Sequence, residues 1–306
     1  MVYKKQTYED LGLGAKASSG RIRSLNKDGS FNVKKTGLPF FQRIHFYHAL
    51  VSMSWFHFLL LILSAYLVVN LLFACLYFWI GVENLTGIDG STNLEKFIEA
   101  FFFSSQTITT LGYGRTAPIS FPASTVAAIE SMMGLLAFAL ATGLLYGRFS
   151  KPSAKMRYSN GAVIAPYQEI SGFMFRVLNP YSNQLLEVEV TVTLSMKKKD
   201  SDLREFHQLE LERNKVVFLP SIWTVVHPIS ENSPLYKLTE ELLLEKDAEF
   251  IVMIRAFDES FSQTVYSRSS YKASEIKWGY KFTYIIERKE EGISLDVSRI
   301  DEIEKV

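Results

Sequence analysis

This chain of 306 residues has one cysteine and almost no net charge, and each of these features excludes some classes of protein. The one cysteine, Cys75, excludes an intramolecular disulfide and a metal site made of several thiolates. The formal net charge of +1 provides no overall field that would indicate a nucleic-acid partner. No group of residues supplies a nucleophile, a base and oxyanion donors together, so we expect neither an enzyme nor an organic cofactor.

Charged residues are also absent from one long stretch, between Arg43 and Glu83. Inside it, residues 56–80 are apolar and exceed the roughly 20 residues that a helix needs to cross a bilayer. Trp55 and Trp79 stand near the two ends of this segment, as in the aromatic belts of membrane proteins. We therefore predict a transmembrane helix, the outer helix, over 56–80.

A short polar segment further along, Thr110-Leu111-Gly112-Tyr113-Gly114, contains two glycines between apolar stretches. Glycine reaches backbone angles that are strained for other residues, so successive carbonyl groups can point the same way. A row of carbonyl oxygens can replace the water around a dehydrated potassium ion. The pattern thus favours a K⁺ filter, although these five residues alone also fit a simple turn between helices.

The segment before this filter predicts a short helix over residues 94–107, opened by Asn93 and with Glu95 in its first turn. It is too short to cross a membrane, so we predict a re-entrant pore helix. The negative end of its dipole would point inward and favour a cation.

The second predicted transmembrane helix, the inner helix, covers residues 122–149 and contains one acidic residue, Glu130. An ionisable residue at this depth is expected to be functional. Glu130 either lines the pore or hydrogen-bonds the pore helix. Gly134 and Gly143 are either hinges of this helix or positions of close helix packing.

Lysine and arginine are distributed asymmetrically around the two spans: nine precede residue 56, whereas the 81–121 loop contains two. Positive-inside reasoning places both termini of this multi-pass membrane protein in the cytoplasm. A basic cluster after the second span either binds anionic lipid headgroups or is an ordinary topological flank. It consists of Arg148, Lys151, Lys155 and Arg157.

Two segments precede the first span. Residues 1–38 are polar, and their Asp28-Gly29 turn predicts an arm that adds a short strand to a sheet, with a disordered tail as the alternative. Residues 39–54 have apolar positions at helical spacing, which predicts an amphipathic slide helix at the membrane surface. That helix is either a lever coupled to the pore or an anchor.

The second half of the chain, after a linker at 151–160, predicts a soluble β-domain over 161–306. Apolar and polar residues alternate from Leu186 to Ser195, as in a half-buried strand. A short helix is predicted at 240–246 with Thr239 as its N-cap. The other predicted strands lie at 171–178, 206–211, 216–219, 250–257, 262–267 and 279–286, and together they indicate a β-sandwich.

Several motifs resemble those of the inward-rectifier potassium channels, and most nearly those of the prokaryotic branch called KirBac. Besides the filter they are KDGSFNV (27–33), FFFS (101–104), WTVVHPI (223–229), SPLY (233–236), RSSY (268–271) and EIKWG (275–279). The resemblance covers about residues 20–285. It implies a homotetramer in the bacterial inner (plasma) membrane, with an α-helical membrane pore domain and a cytoplasmic all-β, immunoglobulin-like sandwich. It also implies phosphoinositides among the anionic lipids that could bind.

The resemblance also implies roles for individual residues. Thr110 would supply the innermost filter ligand, with K⁺ held by the filter carbonyls. Phe138 and Tyr146 would form a hydrophobic gate at the bundle crossing, packing between helices being the alternative. Glu187 would face the cytoplasmic pore and concentrate K⁺, Mg²⁺ or polyamines, the last two as blockers. A second constriction, the G-loop, would include Ala256, Phe257 and Ser260.

Two departures from the family pattern limit these expectations. Phe138 stands where strong eukaryotic rectifiers carry an acid, so tight polyamine block is not expected there. Gln106 replaces a glutamate that in many relatives pairs with an arginine beyond the filter, so Arg115 is expected to be held differently. A membrane-anchored sensor with a vestigial pore and a nonselective cation channel are the competing functions.

Overall fold

The computed structural model describes residues 7–8, 23–33, 37, 46–151, 156–198, 203–219, 222–289 and 292–306. The chain forms two compact units, one of residues 37–151 and one that joins residues 1–36 to 152–306. The described helices are α1 (Phe46–Ser52), α2 (Trp55–Ile80), α3 (Asn93–Ile108), α4 (Phe121–Phe149) and α5 (Glu240–Glu245).

The described strands are named here in chain order. They are β1 (Thr7–Tyr8), β2 (Leu85–Thr86), β3 (Ala117–Pro118), β4 (Arg157–Tyr158), β5 (Ala162–Tyr167), β6 (Ile170–Leu178), β7 (Leu185–Lys197), β8 (Arg204–Leu209), β9 (Lys215–Phe218), β10 (Ile222–Ile229), β11 (Glu249–Asp258), β12 (Gln263–Lys272), β13 (Ile276–Trp278), β14 (Tyr280–Phe282), β15 (Ile286–Lys289), β16 (Gly292–Leu295) and β17 (Ile303–Lys305).

The unit of residues 37–151, called the membrane unit below, is built around α2 and α4. Both helices are long and apolar enough to cross a membrane. Each begins one residue before the predicted span and ends where predicted. The hydroxyl groups of Ser54 and Ser120 cap their N-termini by accepting backbone N–H groups of the first turn.

The short helix α3 begins at a reciprocal capping pair. The Thr92 hydroxyl accepts the N–H of Glu95 at 3.2 Å, and the Glu95 carboxylate accepts the N–H of Thr92 at 3.1 Å. The prediction of Asn93 as the cap was wrong by one position, because the threonine hydroxyl completes this pair and leaves Asn93 as the first helical residue.

Helix α3 packs closely on both long helices. The Tyr77 ring of α2 meets the Phe103 ring of α3 edge to face, with 5.0 Å between ring centroids. A Cβ atom added to Gly134 of α4 would lie 2.0 Å from the carbonyl oxygen of Ile108. This contact favours the packing alternative for Gly134. A Cβ atom at Gly143 would meet nothing within 4 Å, so the packing alternative has no such support there.

Of the predicted slide helix, the structure describes α1 and the residues that lead into α2, while 39–45 lie outside the described residues. Helix α1 lies against the cytoplasmic end predicted for α4. A Cβ atom added to Gly147 would lie 2.7 Å from the Tyr47 hydroxyl and 3.8 Å from a methyl carbon of Val51. Tyr47 and Val51 lie one turn apart on α1, so this face of α1 contacts α4.

The other unit, called the β unit below, is a sandwich of two sheets. One sheet has the order β1-β8-β7-β11-β12, with β9 also paired to β7; the other has the order β10-β6-β5-β13, with β4 paired to β6. Only β13 and β5 run parallel in these two sheets. The Phe173 ring of β6 stacks on Phe250 of β11 at 4.2 Å, which places the core between the sheets.

Strand β7 departs from the predicted alternation near its start. Leu185 and Val188 are buried, whereas Leu186 is only partly buried. Between Leu186 and Glu189, β7 has one residue more than the paired stretch of β11. Glu187, one of the residues in this interval, has a φ of +49°. This is a β-bulge, and it changes which side chains face the core.

Several boundaries of the β unit also differ from prediction. Strands β5 and β10 were not among the predicted strands, because their residues show little alternation between buried and exposed positions. The single strand predicted at 279–286 is wrong, since β14 ends at Phe282 and β15 begins at Ile286. Strand β4 lies within the predicted linker. Helix α5 and its Thr239 cap match their prediction.

The described part of the arm is a tight hairpin that belongs to the β unit. Leu25 and Phe31 form an antiparallel bridge, and Gly29 between them has a φ of +81°. A Cβ atom at Gly29 would lie 2.8 Å from the carbonyl oxygen of Arg268, so only glycine fits. The fully buried Glu249 carboxylate accepts two backbone N–H groups of this hairpin.

An ion pair also holds the hairpin. Arg23 and Lys27 each contact the Glu275 carboxylate at 3.0 Å. Partial burial raises the pKa of Glu275, but the hydrogen bonds from Arg23, the Lys272 backbone and Lys27 outweigh it and leave this pKa below its ordinary value. The strand that the arm adds to a sheet is β1, which pairs with β8, and not the predicted hairpin piece.

Candidate functional site

The filter segment has an alternating backbone. Thr110, Gly112 and Gly114 have φ values of +58°, +55° and +83°, and the two residues between them have negative φ. Alternation of this kind turns successive carbonyl groups toward the same side. A β-branched residue such as Thr110 is strained in this region by about 1–3 kcal/mol, and such strain is typical of functional sites.

The C-terminal end of α3 supports the filter. The Leu111 N–H donates to the Gln106 carbonyl at 2.9 Å, and the Thr110 N–H donates to the Thr107 carbonyl at 3.1 Å. On its other side the filter is open within one chain: Tyr113 is 76% exposed, and Cβ atoms at Gly112 or Gly114 would meet nothing within 4 Å. An open side is what a symmetric pore requires of each of its chains.

A hydrogen-bond network connects α2, α3 and α4 behind the filter. Glu130 is fully buried, and its two carboxylate oxygens accept hydrogen bonds from Tyr77 at 2.7 Å and Ser104 at 2.5 Å. Ser104 also lies 3.0 Å from the amide oxygen of Asn70. Of the two alternatives for Glu130, this geometry favours the contact with the pore helix over a position on the pore lining.

The outer end of the filter is held by ion pairs. The Arg115 guanidinium lies 3.5 Å from Asp89 and 3.9 Å from Glu99, and the Glu99 carboxylate also accepts the backbone N–H of Asp89 at 2.9 Å. Strands β2 and β3 pair beside this group. Arg115 thus has acidic partners in the loop before α3 and in α3 itself, rather than at residue 106.

The two predicted gate residues lie on an exposed face of α4. Phe138 and Tyr146 are each 74% exposed within one chain, and Leu140 between them is exposed as well. Exposed aromatic side chains on a membrane-spanning helix face lipid, another chain or a cavity. Neither ring has a described aromatic contact that would bury it inside its own chain.

Arg148 at the end of α4 is engaged with the slide helix and the start of α2. Its guanidinium donates to the carbonyl oxygens of Leu50 and Met53, the latter at 2.7 Å. It also lies 4.3 Å from the ring centre of Phe58 and 4.6 Å from that of Trp55. The sequence contained a signal for this contact, namely two aromatic residues three positions apart where the outer helix begins.

The rest of the predicted basic cluster is distributed differently. Lys151 donates to the Ser52 hydroxyl at 2.8 Å, so it too lies beside the slide helix. Lys155 lies outside the described residues. Arg157 belongs to β4 of the β unit.

The predicted G-loop residues lie where β11 turns into β12. Ala256 is buried in the sandwich core, whereas Phe257 is 38% exposed. The Asp258 carboxylate accepts the N–H groups of Ser260 at 2.9 Å and Phe261 at 3.3 Å, which fixes the turn. Ala256 therefore contributes packing, whereas Phe257 and Phe261, at 40% exposure, carry apolar side chains that are exposed at this turn.

Glu187, the predicted pore acid, is exposed at the β-bulge of β7. Its carboxylate pairs with Lys215 of β9 at 3.5 Å. This cation partner was not predicted, because the two residues are distant in sequence and the bulge that orients Glu187 leaves no sequence signal.

Two long apolar helices, a short helix between them and a strained filter define a membrane pore protein with an attached β unit. The inward rectifier potassium channel transmembrane domain model matches residues 25–152, and the inward rectifier potassium channel C-terminal domain model matches residues 156–306. The chain belongs to the inward rectifier potassium channel family. Its relatives and domains are those of ion channels and not of enzymes.

Individual relatives agree with this assignment. The chain is 36% identical to inward rectifier potassium channel Kirbac3.1 of Paramagnetospirillum magnetotacticum, over 95% of this chain and 98% of that protein. It is 27% identical to the mouse G protein-activated inward rectifier potassium channel 2, over 92% and 71% of the two chains. It is 29% identical to the chicken ATP-sensitive inward rectifier potassium channel 12, over 91% and 70%. The predicted resemblance to the KirBac branch is confirmed.

Proposed function

We propose that four copies of this chain form a K⁺-selective pore that conducts K⁺ passively down its electrochemical gradient. The observation that carries the proposal is the alternating left-handed backbone of Thr110, Gly112 and Gly114 at the end of α3. Each chain offers one row of carbonyl groups on an open side, and a ring of such rows replaces the hydration shell of the ion.

The direct test is ion flux through purified protein in liposomes that contain anionic lipid in graded amounts. The proposal expects K⁺ uptake that Na⁺ does not match. Equal uptake of K⁺ and Na⁺ would support a nonselective channel instead. No flux at any lipid composition would support the sensor with a vestigial pore. Cross-linking of the same sample checks for the tetramer.

The proposed gate is a ring of Phe138 and Tyr146 side chains at the cytoplasmic end of α4. Their exposure within one chain supports this role, because four bulky aromatic pairs around an axis make a narrow apolar constriction that excludes water. Arg148 ties α4 to the carbonyl groups of the slide helix, so motion of that helix and the gate are coupled. Both termini are proposed to be cytoplasmic.

Replacement of Phe138 and Tyr146 by alanine is expected to raise the open probability by about tenfold, because small side chains let water enter the constriction. Single-channel recording in planar bilayers measures it. Leu140→Ala is the matched control, since it truncates an equally exposed apolar residue of the same helix and should change open probability little. An unchanged or lower open probability in the double variant contradicts the gate.

Anionic lipid is proposed to bias this gate at the junction between the slide and inner helices. Within the described residues of this junction, Lys151 is more accessible to lipid than Arg148. The Arg148 guanidinium already donates to two carbonyl groups and lies over two aromatic rings. Lys155 and Arg157 extend the basic sequence and are proposed to add to the attraction for headgroups.

Arg115→Gln is expected to raise single-channel conductance about two- to fivefold at low ionic strength. Loss of the cation leaves Asp89 and Glu99 unpaired, so the outer mouth becomes more negative and attracts K⁺. The measurement is conductance against KCl concentration. Lys96→Gln serves as the control for loss of a neighbouring cation. Equal conductance of Arg115→Gln and the parent at low salt contradicts this arrangement.

A further inference from the structure

The loop between α2 and α3, called the outer loop below, packs against the chain just after the filter. Strand β2 of this loop pairs with β3. Gly87 has a φ of +73°, and a Cβ atom added to it would lie 2.0 Å from the carbonyl oxygen of Arg115. Residues 85–87 therefore lie directly against residues 115–118, which are called the filter exit below.

Glu99 of α3 binds the same loop from its other side. Its carboxylate accepts the backbone N–H groups of Asp89 at 2.9 Å and Gly90 at 3.3 Å, two and three residues after the contact of Gly87. The Glu99 side chain is 29% exposed. Hydrogen bonds to an ionised carboxylate are roughly twice as strong as those between neutral groups. The outer loop is thus bonded to α3 where it lies against the filter exit.

The ion pairs of Arg115 contribute less to this arrangement. Arg115 lies 3.5 Å from Asp89 and 3.9 Å from Glu99, and the side chains of Arg115 and Asp89 are 70% and 80% exposed. Exposed ion pairs contribute about 0–1 kcal/mol, because water screens the charges. The restraint on the filter exit therefore depends more on the backbone of the outer loop than on the charge of Arg115.

We propose that Glu99 is a positioning residue that keeps the outer end of the filter at the width that selects K⁺. The inference rests on the proposed function, in which rings of carbonyl groups hold the ion. Without the bonds to Glu99, the outer loop can move away from α3, and the filter exit loses its support. The carbonyl groups of Tyr113 and Gly114 would then spread and replace the hydration shell of K⁺ less well.

Hydrogen–deuterium exchange of the full-length protein in detergent tests the restraint without any ion flux. In Glu99→Ala, the amide groups of residues 110–118 should exchange about tenfold faster than in the parent, because a segment that opens more often exchanges faster. Glu99→Gln keeps a carbonyl oxygen that can accept an N–H group, so its increase should be smaller. Parent exchange rates in Glu99→Ala overturn the inference.

Glu95→Ala is the matched control. Glu95 lies one turn earlier on α3, and its carboxylate also accepts two backbone N–H groups, those of Ser91 at 2.7 Å and Thr92 at 3.1 Å. These bonds hold the first turn of the helix. Loss of the same charge should speed exchange at this first turn and leave residues 110–118 within about twofold of the parent. Equal acceleration of residues 110–118 in Glu95→Ala and Glu99→Ala overturns the inference.

Ion selectivity provides the second readout. The ratio of K⁺ to Na⁺ permeability should fall about tenfold in Glu99→Ala and stay at the parent value in Glu95→Ala. The same fall is expected when Glu99→Ala is added to Arg115→Gln, because the restraint does not need that cation. A parent protein without K⁺ flux would contradict the proposed function, whereas the exchange rates would still decide whether Glu99 holds the filter exit. Faster exchange with an unchanged permeability ratio overturns the role in selectivity.

Discussion

Gly112→Ala is expected to reduce K⁺ flux through the reconstituted protein by about two orders of magnitude. The φ of +55° at this position is strained for alanine, which prefers the right-handed region. In the proposed tetramer, each substituted chain would relieve that strain by rotating the peptide, and the rotated carbonyl groups would no longer point at the ion. Potassium uptake into liposomes measures the loss.

The control for this substitution is Gly279→Ala in the β unit. Gly279 has a φ of +70°, and a Cβ atom there would also meet nothing within 4 Å. Its replacement therefore introduces the same kind of backbone strain away from the filter. Flux through Gly279→Ala should equal that of the parent protein. Retention of selective flux by Gly112→Ala would show that the filter tolerates a side chain at its centre and would remove the basis of the proposed function.

Glu130→Ala is expected to destabilise the membrane unit by about 2–5 kcal/mol per chain. The change leaves the buried hydroxyl groups of Tyr77 and Ser104 without their acceptor and leaves a cavity beside the pore helix. A loosened pore helix also loosens the filter that it supports. The measurements are the thermal unfolding midpoint of the protein in detergent and the ratio of K⁺ to Na⁺ permeability.

Two further variants separate the effect of the hydrogen bonds that Glu130 accepts from the effect of its charge. Glu130→Gln retains one carbonyl acceptor and nearly the same volume, so it should lose clearly less stability than Glu130→Ala. Tyr77→Phe removes one donor and should cost about 1 kcal/mol. A Glu130→Ala protein with unchanged unfolding midpoint but altered conductance would instead indicate a residue that lines the pore.

The membrane unit could be predicted from the sequence because the physical signals there are strong and local. Two apolar stretches longer than a bilayer is thick, the first of them without any charged residue, are expected to cross lipid as helices, and both helices begin and end within one residue of the predicted spans. The unusual backbone of residues 110–114 could be predicted for a similar reason. Glycines at alternate positions are a local signature of a backbone that needs left-handed angles.

Contacts between distant residues could not be predicted in this way. The partner of Glu130 depends on the rotation of α4 against α2 and α3, and hydropathy does not determine that rotation. The bulge at Glu187 shifts the phase of β7 without any glycine or proline to mark it. The sequence left Arg148 open between lipid binding and an ordinary topological flank, and it did not indicate the two carbonyl groups and two rings that the fold places around the guanidinium.

The β unit is made of two separate segments of the chain, and this has a consequence for how the chain connects its two units. Residues 1–36 and 152–306 belong to one compact unit, so the membrane unit is an insertion within the β unit and the chain passes between the two units twice. One connection leads into α1 and the other follows α4. Each chain therefore joins its two units by two covalent connections, and a cut in either connection alone would leave the two units in one covalent piece.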